Sequence, residues 1–190
     1  LKNSDTIVGY KLYIDLIADI VKDKQIIAST MRKEIERVEL AIHEAQTGKT
    51  VSIISSGDPG VYGMAGLALE IAYKENIDLP IEIVPGIPAA NAAAAVLGAP
   101  LMHDYAVISL SDLLTPWEII EKRVKYAAEA DFVIVLYNPM SSQRDWQLKK
   151  TAEIILQYKS PNTPVGIVKD VSRGDESVIL TTLDKMTTHP

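Results

Sequence analysis

The stretch Val51–Gly66, VSIISSGDPGVYGMAG, constrains this chain more than any other. It opens as an apolar, β-branched run (Val51, Ile53, Ile54) that suits a buried strand. The run breaks at Ser55-Ser56-Gly57-Asp58-Pro59-Gly60 and resumes as a glycine-spotted helix carrying Val61, Met64, Leu67, Leu69 and Ile71. So sharp a strand-to-helix turn belongs to an α/β architecture. It puts backbone N–H groups and one carboxylate at the carboxyl end of a sheet, where open α/β sheets bind ligands. Asp58, an anion, is no phosphate ligand by itself; it accepts hydrogen bonds from hydroxyl or amino groups. The motif is neither G-x-G-x-x-G nor a Walker A loop. Taken alone, it reads first as a tight loop in which Gly57 and Gly60 free the backbone and Asp58 caps the helix. Glycines recurring at 57, 60, 63 and 66 also suit a close helix-packing face.

Strand and helix alternate along the rest. Thr6–Gly9 predicts a strand, Tyr10–Ile20 a short helix and Gln25–Ala28 a strand. Ser29 or Thr30 is the N-cap candidate for a helix over Met31–Gln46, closed by Gly48. The strand Thr50–Ile54 and a helix ending near Lys74 come after it. Next are a strand at Ile81–Val84, a second sharp turn at Pro85-Gly86-Ile87-Pro88, and a helix of very small residues over Ala89–Leu97. Gly98-Ala99-Pro100 then marks a domain boundary, giving domains 1–100 and 101–190. The second half continues with strand Tyr105–Leu110, loop Ser111–Pro116, and a helix to Ala130 with Pro116 at its first position. Strand Phe132–Leu136, a helix opened by Ser142 or Asp145 and running through Tyr158, and strand Pro164–Val168 come next. The charged loop Lys169–Glu176 leads to a last strand, Ser177–Thr182. Such alternation predicts a parallel sheet with helical crossovers.

Composition narrows the function classes. The 190 residues are 47% hydrophobic and 23% charged, ordinary for a soluble globular protein. There is no cysteine, hence no disulfide, thiol chemistry or thiolate metal site, which suits a reducing cytoplasm. His43, His103 and His189 show no metal spacing, so no metal is expected. The net charge of −6 argues against broad nucleic-acid binding. No segment reaches the ~20 apolar residues of a membrane span. The opening LKNSDTIVGY lacks the basic-then-apolar pattern of a leader and reads as the tail of a helix begun earlier. No G-x-S-x-G elbow occurs, and nothing marks Ser55 or Ser56 as a nucleophile.

Three more stretches admit two readings each. PGIPAANAAAA packs a small-residue helix under a sheet, or leaves room for a ligand against backbone. In VLYNP, Asn138 begins a turn, or offers its amide at a carboxyl edge. VKDVSRGDE is a solvated loop, or offers Lys169 and Arg173 to an anion.

In their order and spacing, SSGDPGVYGMAGLALE, IVPGIPAANAAAAVLGAPLMHDYAVISLSDLLTPWE, VLYNPMSSQR and VGIVKDVSRGDE resemble the tetrapyrrole methylase superfamily. Within it they resemble the precorrin-3B C17-methyltransferase branch of cobalamin biosynthesis, whose anaerobic-route counterpart acts on cobalt-factor III. GDPGVYGMA and VSRGDE are the most specific parts, LSDLLTPWEIIEKR is typical of the branch, and the resemblance covers almost the whole chain. It implies two α/β domains, the first with a mostly parallel sheet and the second with a mixed one. It also implies S-adenosylmethionine bound in a cleft between them, a tetrapyrrole in an adjoining trough, and a homodimer.

By that similarity Gly57, Asp58 and Val61 line the cofactor site from the first domain, and Pro88 and Ala89 follow the family's PG turn as another contact. Asn138 and Val171 match cofactor contacts of the second domain. Lys169 and Arg173 are expected at the substrate, in a basic rim with Lys122, Arg123 and Arg144 that offsets the acidic balance. The family's first strand with its G-x-G-P-G loop, and its last segments, have no counterpart here, so the chain reads as trimmed at both ends. Methyl transfer from a sulfonium is a direct displacement and needs no covalent enzyme intermediate. Ring contraction needs proton movements, and no residue is marked as their acid or base. The competing readings are a sibling methylase acting on RNA or a modified protein residue, and a non-catalytic α/β ligand-binding module.

Overall fold

The computed structural model describes residues 1–30, 33–141 and 145–189. The chain divides into two compact units, Leu1–Pro88 and Ala89–Pro190. In the first, β1 (Thr6–Tyr10) leads into two short helices, α1 (Lys11–Asp15) and α2 (Ala18–Val21). They stand in place of the single helix expected over Tyr10–Ile20. Leu12, Leu16 and Ile20 are each more than half exposed, so no continuous apolar face holds one longer helix together. β2 (Gln25–Ser29), α3 (Glu34–Gln46), β3 (Val51–Ile54) and α4 (Ala65–Lys74) complete the unit's regular elements.

The sheet order is β2-β1-β3, and both ladders are parallel. The central strand is the most buried: Ile7 and Val8 are fully enclosed, as expected of a parallel sheet covered on both faces. On one side α3 and α4 pack through Val38, Ile42, Met64, Ala68, Ile71 and Ala72. The N-cap of α3 is Lys33 rather than Ser29 or Thr30, and Met31 lies outside the described residues. Ser29 instead ends β2 and turns its hydroxyl to Arg37. Gly48 closes α3 as expected, in the left-handed region at φ 90°.

Two further expectations fail in this unit. Ile81–Val84 forms no strand: the segment lies between Pro80 and Pro85 and pairs with no neighbouring strand. The glycines of the opening motif do not form a helix face either. Only Gly66 lies in α4, while Gly57, Gly60 and Gly63 precede it, with the Pro59 carbonyl accepting from Ala65 N–H at 3.0 Å.

In the second unit α5 (Ala89–Val96) comes first, and Leu97 packs against Gly166, where an added Cβ would stand 2.5 Å from a leucine methyl. The glycine and proline of Gly98-Ala99-Pro100 suggest a boundary there; the contacts divide the chain earlier, after Pro88, and place α5 in the second unit. β4 (Tyr105–Ser109), α6 (Trp117–Glu129), β5 (Val133–Tyr137) and α7 (Trp146–Ile155) continue the alternation. Pro116 is the N-cap of α6, one position before that expected, at ψ 140°. Ser142, the alternative opener of α7, lies outside the described residues; Asp145 occupies the N-cap position without a side-chain cap bond. β4 and β5 pair in parallel. β6 (Pro164–Lys169) and β7 (Ser177–Thr182) pair antiparallel. Parallel and antiparallel ladders thus both occur here. A 3₁₀ turn over Leu183–Thr188, not anticipated, buries Leu183 and Met186 in a core with Ile108, Leu110, Ile120, Val124, Ile154 and Ile155.

Candidate functional site

Gly57 stands three residues beyond β3, at φ +74°, a conformation glycine takes without steric penalty. It lets the chain double back so that Asp58 faces its own loop. One Asp58 oxygen, Oδ1, accepts from Gly60 N–H at 2.7 Å. The other, Oδ2, accepts from Gly86 N–H at 2.9 Å. The two sharp turns singled out in the sequence are therefore docked on one another within the first unit. Gly86 has no room for a side chain: a Cβ there would sit 2.2 Å from the Gly57 carbonyl oxygen. Val61, whose N–H donates to the Asp58 carbonyl at 3.1 Å, is about one-third exposed beside them. Pro88 lies two residues beyond Gly86 and is half-buried.

The N–H groups of Gly86, then Gly60 and Val61, hold the Asp58 carboxyl below the usual aspartate range, since each stabilises the ionised form. A depressed pKa makes the staple present at and above ordinary carboxylate pKa values. It is lost as pH falls through the folded value. Acidification below the usual aspartate range should therefore lower the hydrogen-exchange protection factor of the Gly86 amide, with no change between that range and neutrality. A protection factor flat throughout would show that the carboxylate does not hold this amide.

The far end of the same loop is fixed by groups the sequence reading did not single out. Ser55 Oγ accepts from Met64 N–H at 3.2 Å. Arg37, only 4% exposed, donates from Nε to Ser29 Oγ at 2.7 Å, from Nη2 to the Thr30 carbonyl at 2.9 Å, and from Nη1 to Met64 Sδ at 3.7 Å. Its place in the sequence, one turn before Ala41 on the buried stripe of α3, was the available signal.

In the second unit, Asn138 directly follows β5 at φ 51°, and its Nδ2 donates to Ser109 Oγ at 3.0 Å. Ser109 Oγ also accepts from Ser111 N–H at 3.2 Å, so one hydroxyl at the end of β4 fixes both carboxyl-edge loops. The Tyr137 hydroxyl accepts from Ala90 N–H at 2.9 Å, meeting a donor that the first turn of α5 leaves unpaired. Ala89 and Asn138 are thus each one residue from a bonded pair. Neither Ser109 nor the Tyr137 hydroxyl was foreseen.

Lys169 ends β6, and Val171 lies between Asp170 and Ser172, both at positive φ. Arg173 Nη1 approaches Asp170 Oδ1 at 3.5 Å, and Glu176 Oε2 accepts from Ser172 N–H at 2.6 Å, so the charged loop is laced to itself. Lys122 and Arg123 are exposed on α6, with Lys122 Nζ 5.9 Å from the Tyr126 ring centre. Arg144 lies outside the described residues. Among the described residues no cluster of three metal-ligating side chains occurs, and no helix is long and apolar enough to cross a membrane.

A family model described as Tetrapyrrole (Corrin/Porphyrin) Methylases matches residues 1–187. The cobalt-factor III methyltransferase of Priestia megaterium is 49% identical over all of this chain, which spans 36% of that protein. The probable cobalt-factor III C(17)-methyltransferase of Salmonella typhimurium is 50% identical over all of the chain and 79% of its own length. The crystal structure of the methyltransferase CobJ superposes with a TM-score of 0.88 at 37% identity, over 95% of this chain and 76% of that one. With both turns and the alternating units in place and residues 1–187 matched by the family model, the chain belongs to the tetrapyrrole methylase family.

Proposed function

We propose that this chain carries S-adenosylmethionine-dependent C-methylation of a corrinoid-precursor tetrapyrrole, at C17 with ring contraction, in cobalamin biosynthesis. The observation that carries the reading is the docking of the Gly57–Gly60 turn on the Pro85–Pro88 turn through Asp58 and Gly86. It forms a side-chain-poor surface at a carboxyl edge, which fits a ligand recognised largely by backbone groups. Gly57, Val61, Pro88, Ala89, Asn138 and Val171 hold the cofactor in this reading, and Asp58 holds the turn on which Gly57 and Val61 stand. When bound, it supplies an electrophilic methyl group. The protein's own task is to hold a nucleophilic ring carbon in line, and proximity and orientation can supply roughly 7–11 kcal/mol of such a barrier. Lys169 and Arg173 meet substrate carboxylates, which displace Asp170 from Arg173.

The relatives' names favour the cobalt-containing substrate over the metal-free one. A homodimer and a cytoplasmic location extend the resemblance. The test has two stages: calorimetry with S-adenosylmethionine, then incubation with cobalt-containing and metal-free tetrapyrroles, read by mass spectrometry. The expected result is a gain of one methyl group on the cobalt-containing compound. Cofactor binding with no transfer to either tetrapyrrole would replace this reading by a ligand-binding module.

A further inference from the structure

From Asp78 to Ile87 the chain forms neither helix nor strand; its apolar side chains Val84 and Ile87 are largely exposed, and Ile81 and Ile83 are exposed by about two-fifths. Upstream, Ile77 and Leu79 pack on the α3–α4 core. Beyond them, among the described residues, the segment makes one hydrogen bond, from Gly86 N–H to Asp58 Oδ2 at 2.9 Å. The contact that accompanies it is steric: the Gly86 Cα lies so near Gly57 that a methyl group there would meet the Gly57 carbonyl carbon at 3.0 Å and the Asp58 Cα at 3.4 Å.

We propose that Asp58 is a positioning residue. Its carboxylate fixes the Pro85–Pro88 turn on the Gly57–Gly60 turn, and it acts on a bound nucleoside-type ligand through Gly86, not by touching it. The inference rests on the reading given under Proposed function. Both carboxylate oxygens are committed to backbone N–H groups, one local and one 28 residues away. Bonds from N–H to an ionised acceptor are the stronger kind. A turn held by one such bond loses its placement when the carboxylate goes.

The test is a double-mutant cycle on the whole chain with Asp58→Ala, Gly86→Ala and the pair, with Asp58→Asn as the isosteric variant should the alanine form fold poorly. Binding of S-adenosylhomocysteine is read by calorimetry, and protection of the Gly86 amide by hydrogen exchange in ligand-free protein. Asp58→Ala is expected to weaken binding about 10-fold and abolish Gly86 protection. Asp58→Asn, which keeps one acceptor oxygen, should fall between it and the native protein. In the Gly86→Ala background the Asp58 change should weaken binding by no more than about 2-fold, because the residue it acts through is already displaced. Two results overturn the proposal: effects that multiply in the double variant, which mean direct contact with the ligand, or native affinity with Gly86 unprotected. If the native chain binds no S-adenosylhomocysteine, the functional reading falls and takes the ligand half of the proposal with it. Gly86 exchange then still decides whether Asp58 holds the turn.

Discussion

Ile120→Ala is expected to destabilise the second unit by about 3–4 kcal/mol. Ile120 is fully buried on α6, in the core that also holds Ile108, Leu110, Val124 and Ala152. Truncation removes buried methyl and methylene groups and leaves a void between helix and sheet that rigid neighbours fill only in part. The chain's two tryptophans, Trp117 and Trp146, stack edge-on at 4.7 Å within this unit, so their fluorescence reports its unfolding. The measurement is the urea midpoint against native protein, with Ile119→Ala as the neighbour control. Ile119 is 44% exposed, and its truncation should change stability by less than about 1 kcal/mol. Equal losses for the two would mean that this face of α6 is not the core.

Arg37→Ala should destabilise the first unit by about 3 kcal/mol. The native side chain is buried, and among the described residues no carboxylate pairs with it. Its charge is accommodated by a hydroxyl, a carbonyl and a thioether. Removing it leaves Ser29 Oγ and the Thr30 carbonyl to lose a strong donor, and opens a void beside Met64. Lysine does not substitute, since one ammonium cannot reproduce the planar fork that reaches three acceptors at once. The experiment is chemical denaturation followed by amide exchange of β1, the strand at the centre of this sheet. A loss under about 1 kcal/mol for Arg37→Ala would mean that the fork is held by the fold, not the reverse.

The elements that run on local pattern were legible in the sequence. The apolar run Phe132–Leu136, which the structure sets one residue later as β5, the β-branched run at Val51–Ile54 and the glycine after α3 each announce themselves within a few residues. The order of the turns and the family resemblance were legible for the same reason: motifs are contiguous. Pairing at a distance was not legible. Nothing near Asp58 names Gly86 as its partner, nothing in VLYNP says that the Tyr137 hydroxyl meets Ala90, and nothing in the α3 stripe announces that Arg37 is buried with neutral acceptors. Ile81–Val84 misled because β-branched residues suit a ladder, while whether a partner strand lies alongside is not written in the segment itself. The opening glycines misled because a three-residue spacing resembles a helix face, whereas the turn at Asp58 consumes most of them before α4 starts.

The two kinds of ladder also imply two clocks for folding. β6 and β7 are consecutive and register Lys169 against Ser177, so a short loop closes them. β1 meets β3 by bringing Thr6 to Val51, across two short helices, a strand and the whole of α3. Loop closure and distant pairing slow a parallel sheet relative to a hairpin. During synthesis, Ile7 and Val8, the most buried strand residues of the first unit, therefore wait unpaired on the β3 side until Val51–Ile54 has emerged.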